Sequence, residues 1–497
     1  MSSPSPTPPP NPSNPAPPTN PPRPTTVGAL RASGYRPATV KQQMRTNLQA
    51  RLRAGEPSLP GIVGFDTTVT PQVERAILAG HDIVLLGERG QGKTRLIRSL
   101  VSLLDEWQPV IPDCPINDDP TGPICARCQR LAAELGDDLP VGWRHRGDRY
   151  GEKLATPDTA VGDLIGDVDP VRIAEGRSLG DPETIHYGLV PRTNRGIFAI
   201  NELPDLAERI QVALLNVLEE RDVQVRGYTL RLPLDLLVVA SANPEDYTNR
   251  GRIITPLKDR FGVEIRTHYP LTVAEEMALL AQEARIEAVV PDHLREVVAR
   301  FTRLVRESPA VDQRSGVSAR FAIACMEQLS GAALRRAALI GDREPVARIG
   351  DLADIVPTLL GKVEFDVSEE GEEEATLALL ARRATAETWR SRLRGSRPAT
   401  FLTGLVAWFD AGRTLDLDDL TPASTIVTAV GPGDGEAVPG LGALVGHLEP
   451  EMASSAGLVA ACVEFAAEGL WLARRINKEE VGGTMRFVTA RTGQDES

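Results

Sequence analysis

Aromatic side chains are scarce: Phe, Trp and Tyr make up 4% of the 497 residues. The cores must therefore be built from aliphatic side chains. Cysteine is scarce too; five in the whole chain cannot hold together a disulfide scaffold. No apolar run is long enough to cross a bilayer, and the longest near the C-terminus, Met452 to Val463, is about half the length required. The start lacks the basic residues and apolar stretch of a secretory leader. A cytoplasmic protein without a membrane span is expected. Positive charge is not in excess either. A net charge of −13 argues against broad electrostatic capture of nucleic acid or of an anionic membrane, so no nucleic-acid partner is expected.

What remains is an ordinary globular balance, 41% hydrophobic and 25% charged. At roughly 150 residues per domain, the length suggests about three domains. Residues 1–27 form a Pro-rich tail, with twelve prolines between Met1 and Thr26. Such a segment buries too little apolar area to offset its ordering entropy, and disorder is expected.

Residues 28–270 read as an α/β domain. A short helix is expected from Pro71 to Gly80, then a buried strand from His81 to Leu86. Gly87 to Gly92 breaks the strand. Lys93 to Leu104 carries Leu96, Ile97, Leu100 and Leu104 at helical spacing. Further strands are expected at Gly196–Ile200 and Asp235–Ser241, with a helix at Leu206–Glu220 between them. This alternation implies a parallel sheet with flanking helices. A polar insert occupies about 105–160.

From 271 to 366 the texture is helical only. Thr272 and Glu275 form a capping box, a second helix follows Pro291, and a third spans about Val317 to Ala333. This reads as an α-helical lid. Residues 367–497 open with five glutamates in six positions, Glu369 to Glu374, read as an acidic hinge or loop. The rest of that region reads as mainly helical, ending in a helix over about 454–477.

The sharpest motif is Gly87-Glu88-Arg89-Gly90-Gln91-Gly92-Lys93-Thr94, a full match to G-x-x-x-x-G-K-[ST] between a strand and a helix. Glycines let backbone N–H groups curl around phosphates without Cβ clashes. Lys93 can reach the β- and γ-phosphates, and Thr94 can offer its hydroxyl to Mg²⁺. ATP and Mg²⁺ are therefore the expected ligands.

Four further elements follow in order. Ile197 to Ile200 is an apolar strand ending in Asn201-Glu202. Glu202 suits the orientation and deprotonation of a water; Asn201, where an acid is usual, offers a neutral carbonyl. Asn243 ends the next strand, where it could bond a γ-phosphate or the attacking water. Arg260, in Leu257-Lys258-Asp259-Arg260-Phe261, could reach a neighbouring subunit's nucleotide. Arg320 opens a lid helix and could sense phosphate. Taken singly, each has a plainer alternative: a strand-end turn, a turn before proline, a surface ion pair with Asp259, and an ordinary helix-surface arginine.

In this order and spacing the elements resemble the AAA+ ATPases of the magnesium-chelatase I-subunit and MoxR group, over roughly residues 60–360. Gly162 to Asp169 and Tyr187 to Gly196 are similar to that group's insert before the second ATP motif. Glu468-Gly469-Leu470 and Arg475-Ile476-Asn477 are similar to the chelatase tail. The resemblance implies Lys93 and Thr94 as Walker A, Glu202 as Walker B, Asn243 as sensor 1, Arg260 as the finger and Arg320 as sensor 2. It implies a ring, usually a hexamer, and a partner with a von Willebrand A domain. The function expected is an ATP-hydrolysing motor that remodels a partner protein. The alternatives are an authentic chelatase subunit driving Mg²⁺ insertion into protoporphyrin IX, or a nucleotide-gated scaffold with little turnover. A sigma-54 activator is set aside, because no GAFTGA string occurs.

Cys114-x10-Cys125-x2-Cys128 contains a half with metal-ligand spacing inside the polar insert. Structural zinc with His145 as fourth ligand, free thiols in an exposed loop, and an iron–sulfur site are the three readings. Cys325 and Cys462 lie on apolar helix faces and read as core.

Overall fold

The computed structural model describes residues 23–169, 171, 174, 184–219, 222–225, 228–243, 252–312, 316–431 and 437–490. Most of the Pro-rich tail expectation lies outside them. From Pro24 the chain is already anchored: the Trp143 indole donates to the Pro24 carbonyl at 2.9 Å, and Val27 N to Leu139 O at 3.0 Å.

Five parallel strands form the central sheet: β1 (Ile83–Leu86), β2 (Tyr150–Leu154), β3 (Gly196–Asn201), β4 (Leu236–Ala242) and β5 (Val263–Arg266). Their order is β5-β1-β4-β3-β2. Alternate side chains explain why the sheet is covered on both faces. Ile83, Leu85, Ile197 and Ala199 join one core with the helices Val40–Ala54, Val69–Ala79 and Lys93–Ser99. Val84, Leu86, Phe198 and Ile200 join the other, with the helix Glu208–Glu219. The helix after the glycine-rich turn is α-helical only to Ser99 and tightens into a 3₁₀ turn over Leu100–Leu103.

The polar insert folds as a hairpin, Trp107–Val110 against Gly142–His145, with a helix Ala126–Leu135 between its strands. Gly166–Val168 pairs antiparallel with Ile185–Tyr187, bringing together the two stretches set apart in the sequence.

The lid contains the helices Val273–Glu283, Asp292–Glu307, Ala319–Ile340 and Ile349–Leu359, the first opened by the Thr272/Glu275 capping box. The C-terminal helices Glu373–Arg392, Ser396–Asp410, Ala423–Val430, Leu441–Leu448 and Ala456–Leu472 share one continuous core with them, running from Leu280 to Phe487. A buried hydrogen-bond set joins the two regions. Glu449 accepts from the backbone N–H groups of Asp292 and His293 and lies 2.7 Å from His293 Nδ1. Burial opposes the charge on Glu449, but these bonds outweigh it and hold its carboxyl below the usual range. Gly469 is required by packing, since a Cβ there would meet the Trp389 ring at 1.8 Å.

Two local expectations are corrected. The acidic run is not all loop: Glu373 and Glu374 form the first turn of the helix Glu373–Arg392, where the helix dipole favours negative charge. The last helix stops at Leu472, and Ile476–Val481 is instead a strand. It pairs with Thr484–Thr489, which pairs with Leu415–Leu417, giving a three-stranded antiparallel sheet that the sequence reading lacked.

Candidate nucleotide site and a buried cysteine cluster

The strands β1, β3 and β4 run in one direction and end side by side, at Gly87, Glu202 and Asn243. In open α/β sheets this carboxyl edge is where ligands bind. The turn after β1 takes backbone angles that favour glycine, with φ of +74° at Gly90 and +77° at Gly92. Gly90 also lies against the lid: a Cβ there would sit 2.0 Å from Ser318 Oγ. Further contacts clamp the turn. Tyr269 Oη donates to Arg89 O at 2.7 Å, and Thr267 Oγ1 to Gln91 Oε1 at 2.8 Å. A Cβ at Gly316 would meet Glu88 Oε2 at 2.6 Å.

Lys93 is buried at the head of its helix. Its ammonium donates to Glu88 O at 2.8 Å, to Asn243 Oδ1 at 2.7 Å and also to Gly87 O. Asn243 in turn donates from Nδ2 to Glu202 Oε2 at 2.7 Å. A lysine from the helix after β1 and residues from the ends of β3 and β4 thus form one hydrogen-bonded chain. Glu202 has φ +57°, an uncommon value outside glycine, which aims the residue away from the line of β3. Its backbone N–H donates to Ser241 Oγ at 3.3 Å. Thr94 is half-buried on the first helical turn.

Asn201 is held by two residues that the sequence reading did not single out. Its Oδ1 accepts from Ser241 Oγ at 3.2 Å, and its Nδ2 donates to Glu152 Oε1 at 2.5 Å. Glu152 stands on β2 and also pairs with Arg98, at 2.8 Å, one helical turn beyond Thr94. A carboxylate therefore stands beside Asn201, contributed by the neighbouring strand. Only the β2–β3 pairing brings it there, and nothing in the local sequence signals it.

Arg260 and Arg320 lie apart from this chain. Arg260 ends the helix Thr255–Arg260 and pairs with Glu219, at the end of the helix Glu208–Glu219, rather than with Asp259. Arg320 is exposed in the first turn of Ala319–Ile340, two residues after the Ser318 that touches Gly90.

In the insert, Cys114, Cys125 and Cys128 come together, all buried and none in a disulfide. The exposed loop of the free-thiol reading is therefore corrected. So is the fourth ligand, because the residue beside them is Asp118. The three sulfurs and an Asp118 oxygen lie within 4.8 Å of one another. His145 is engaged elsewhere: its Nδ1 accepts from Gly147 N, and its ring packs edge-on against Trp107, its partner in the hairpin. Burial and the neighbouring Cys114 push the Asp118 carboxyl up. Cys325 and Cys462 are core residues, with burial raising both thiols.

The family model for the sigma-54 interaction domain matches residues 176–261, a stretch that contains Glu202, Asn243 and Arg260. The magnesium-chelatase subunit ChlI of Anabaena variabilis is 27% identical over 228 residues, covering 45% of this chain and 64% of that protein. The chloroplastic ChlI of Chlamydomonas reinhardtii is 30% identical over 189 residues, covering 36% and 41%. The magnesium-chelatase 38 kDa subunit of Cereibacter sphaeroides is 28% identical over 237 residues, covering 46% and 63%. The chain thus spans less than two thirds of these relatives' lengths. Among solved structures, one chain of a cryo-EM-based complex between magnesium-chelatase subunits BchI and BchD aligns at 21% identity with a TM-score of 0.34, covering 64% of this chain and 97% of that one. No helix among the described residues is long and apolar enough to cross a membrane.

Proposed function

We propose that this chain, an AAA+ ATPase of the magnesium-chelatase I-subunit group, binds MgATP at the carboxyl edge of its sheet and hydrolyses it to drive a change in a partner protein. The observation that carries the reading is the Lys93–Asn243–Glu202 chain, with links of 2.7 and 2.7 Å. It couples the cation expected to meet the terminal phosphates to the carboxylate expected to act as base.

The residues have distinct tasks in this reading. Lys93 and the Gly87–Thr94 backbone hold the phosphates. Glu202 accepts a proton from the attacking water at its carboxylate, while Asn243 fixes one of its oxygens. Thr94 would offer its hydroxyl to Mg²⁺, and Glu152, beside Asn201, would offer the nearest strand-end carboxylate besides the base. When bound, Mg²⁺ supplies charge stabilisation across the phosphates. Arg260, half-exposed and away from the Lys93–Asn243–Glu202 bonds, serves a neighbouring protomer in a ring, usually of six. Arg320 reads the phosphate from the lid. A von Willebrand A domain protein is the proposed partner. Service in true magnesium chelation is the alternative use of the same motor.

Asn201 favours a second reading, a scaffold that binds ATP and scarcely turns over. Phosphate release by the purified full chain separates the two. Glu202→Gln is expected to lower turnover by about 10²-fold or more while nucleotide binding persists. Wild-type turnover no faster than that of the variant would rule out the motor.

A further inference from the structure

We infer that Cys114, Asp118, Cys125 and Cys128 form a structural zinc site that fastens the insert to the strand carrying Glu202. The donor set is the first argument. Three sulfurs and a carboxylate, converging within 4.8 Å, match the four ligands of a closed tetrahedral site. With Zn–S bonds of about 2.3 Å, ligand atoms in such a site stand about 4 Å apart, so small movements would close this one.

The second argument is independent of the cysteines. Asp118 is 1% exposed. Its Oδ2 accepts from Cys125 N at 3.0 Å, but its Oδ1 has no hydrogen-bond partner among the described residues. A buried carboxylate oxygen without a donor costs free energy, and a cation among the sulfurs would satisfy it. The loop is also shaped to present these groups. Asp113 and Asn117, each immediately before a ligand, take left-handed backbone angles with φ of +57° and +55°. Asp118 N donates to Cys114 Sγ at 3.3 Å and Cys128 N to Cys125 Sγ at 3.4 Å, the backbone support that thiolate ligands require.

The same loop grips the entry to β3. Asn117 Nδ2 donates to Arg192 O at 2.7 Å, and Asn194 Nδ2 donates to Ile116 O at 3.0 Å. Arg195 donates to Pro109 O at 2.6 Å and pairs with Asp119 at 2.7 Å, just before Gly196 begins the strand. Closing the loop on a metal therefore fixes the root of the strand whose tip is Asn201-Glu202. Binding releases the thiol protons to solvent.

The test is metal analysis of the full chain, expressed with added zinc and purified under reducing conditions without chelator. One zinc per chain is expected, and anaerobic exchange for Co²⁺ should give thiolate charge-transfer and tetrahedral d–d absorption. Asp118→Asn should lose zinc to a chelator about tenfold faster or more, Asp118→His should retain it, and His145→Ala should not differ from wild type. A chain far short of one zinc that also takes up no cobalt overturns the site, as does iron with acid-labile sulfide in its place. Undiminished retention in Asp118→Asn overturns the fourth ligand. Metal content is read without nucleotide, so these failures leave the ATPase reading standing.

Discussion

The Asn201 amide nitrogen lies 2.5 Å from Glu152 Oε1, across the seam between β3 and β2. The strand end that lacks an acid of its own is thus paired with one from its neighbour. If Glu152 contributes to holding the cation, Glu152→Gln should raise the Mg²⁺ concentration for half-maximal turnover about tenfold and weaken Mn²⁺ binding to the ADP complex, read by electron paramagnetic resonance. Unchanged Mn²⁺ affinity would reduce Glu152 to a packing residue. Asn201→Asp places two carboxylates in contact, so its melting temperature should depend on Mg²⁺ more steeply than that of wild type.

Lys93→Ala should abolish nucleotide retention in a filter-binding assay. The ammonium is buried and spans the phosphate turn and Asn243. Normal retention would place the nucleotide elsewhere.

Arg260→Ala should leave ATP retention unchanged and cut turnover of the assembled oligomer by about 10³-fold. The half-exposed pair with Glu219 is worth little by itself, so Glu219→Gln serves as the control and should be near wild type. Equal effects of the two changes would make Arg260 a structural partner of Glu219.

Gly90→Ala should lower stability by about 1–3 kcal/mol, because a Cβ would meet both a left-handed backbone and Ser318. Thermal melting with and without ATP checks this.

Burial pushes the Glu464 carboxyl up to about 7, with Arg348 opposing the shift. A raised carboxylate favours folding in its protonated form. That contribution is full below the unfolded value near 4.3 and is lost as pH rises through about 7. Between about pH 5 and pH 8 the melting temperature of wild type should therefore fall more than that of Glu464→Gln. Parallel curves would show that Glu464 does not titrate in this window.

Elements whose period matches their burial were legible in the sequence. Ile83 to Leu86 read as a strand because all four side chains are apolar and buried, and Gly87–Thr94 read as a phosphate turn because its spacing carries the chemistry. Glu152 and Asp118 were illegible for a shared reason. Each acts through a partner distant in sequence or placed by an irregular loop, so no period marks it. Cys114, Cys125 and Cys128 were visible by type, but the fourth group sat unremarked inside the ten-residue gap, while His145 is held by its hairpin partner Trp107. The C-terminal hairpin was hidden because Ile476–Val481 reads Ile-Asn-Lys-Glu-Glu-Val, with three charges and a single buried side chain, Ile476. Its turn, Gly482-Gly483, was the available signal.

The unbroken apolar interior from Leu280 to Phe487 has a mechanical consequence. A hinge between lid and tail would have to tear that interior open, at a cost far above thermal energy. Any displacement of Ser318 relative to the phosphate turn would therefore carry the hairpin Ile476–Thr489 with it as one body.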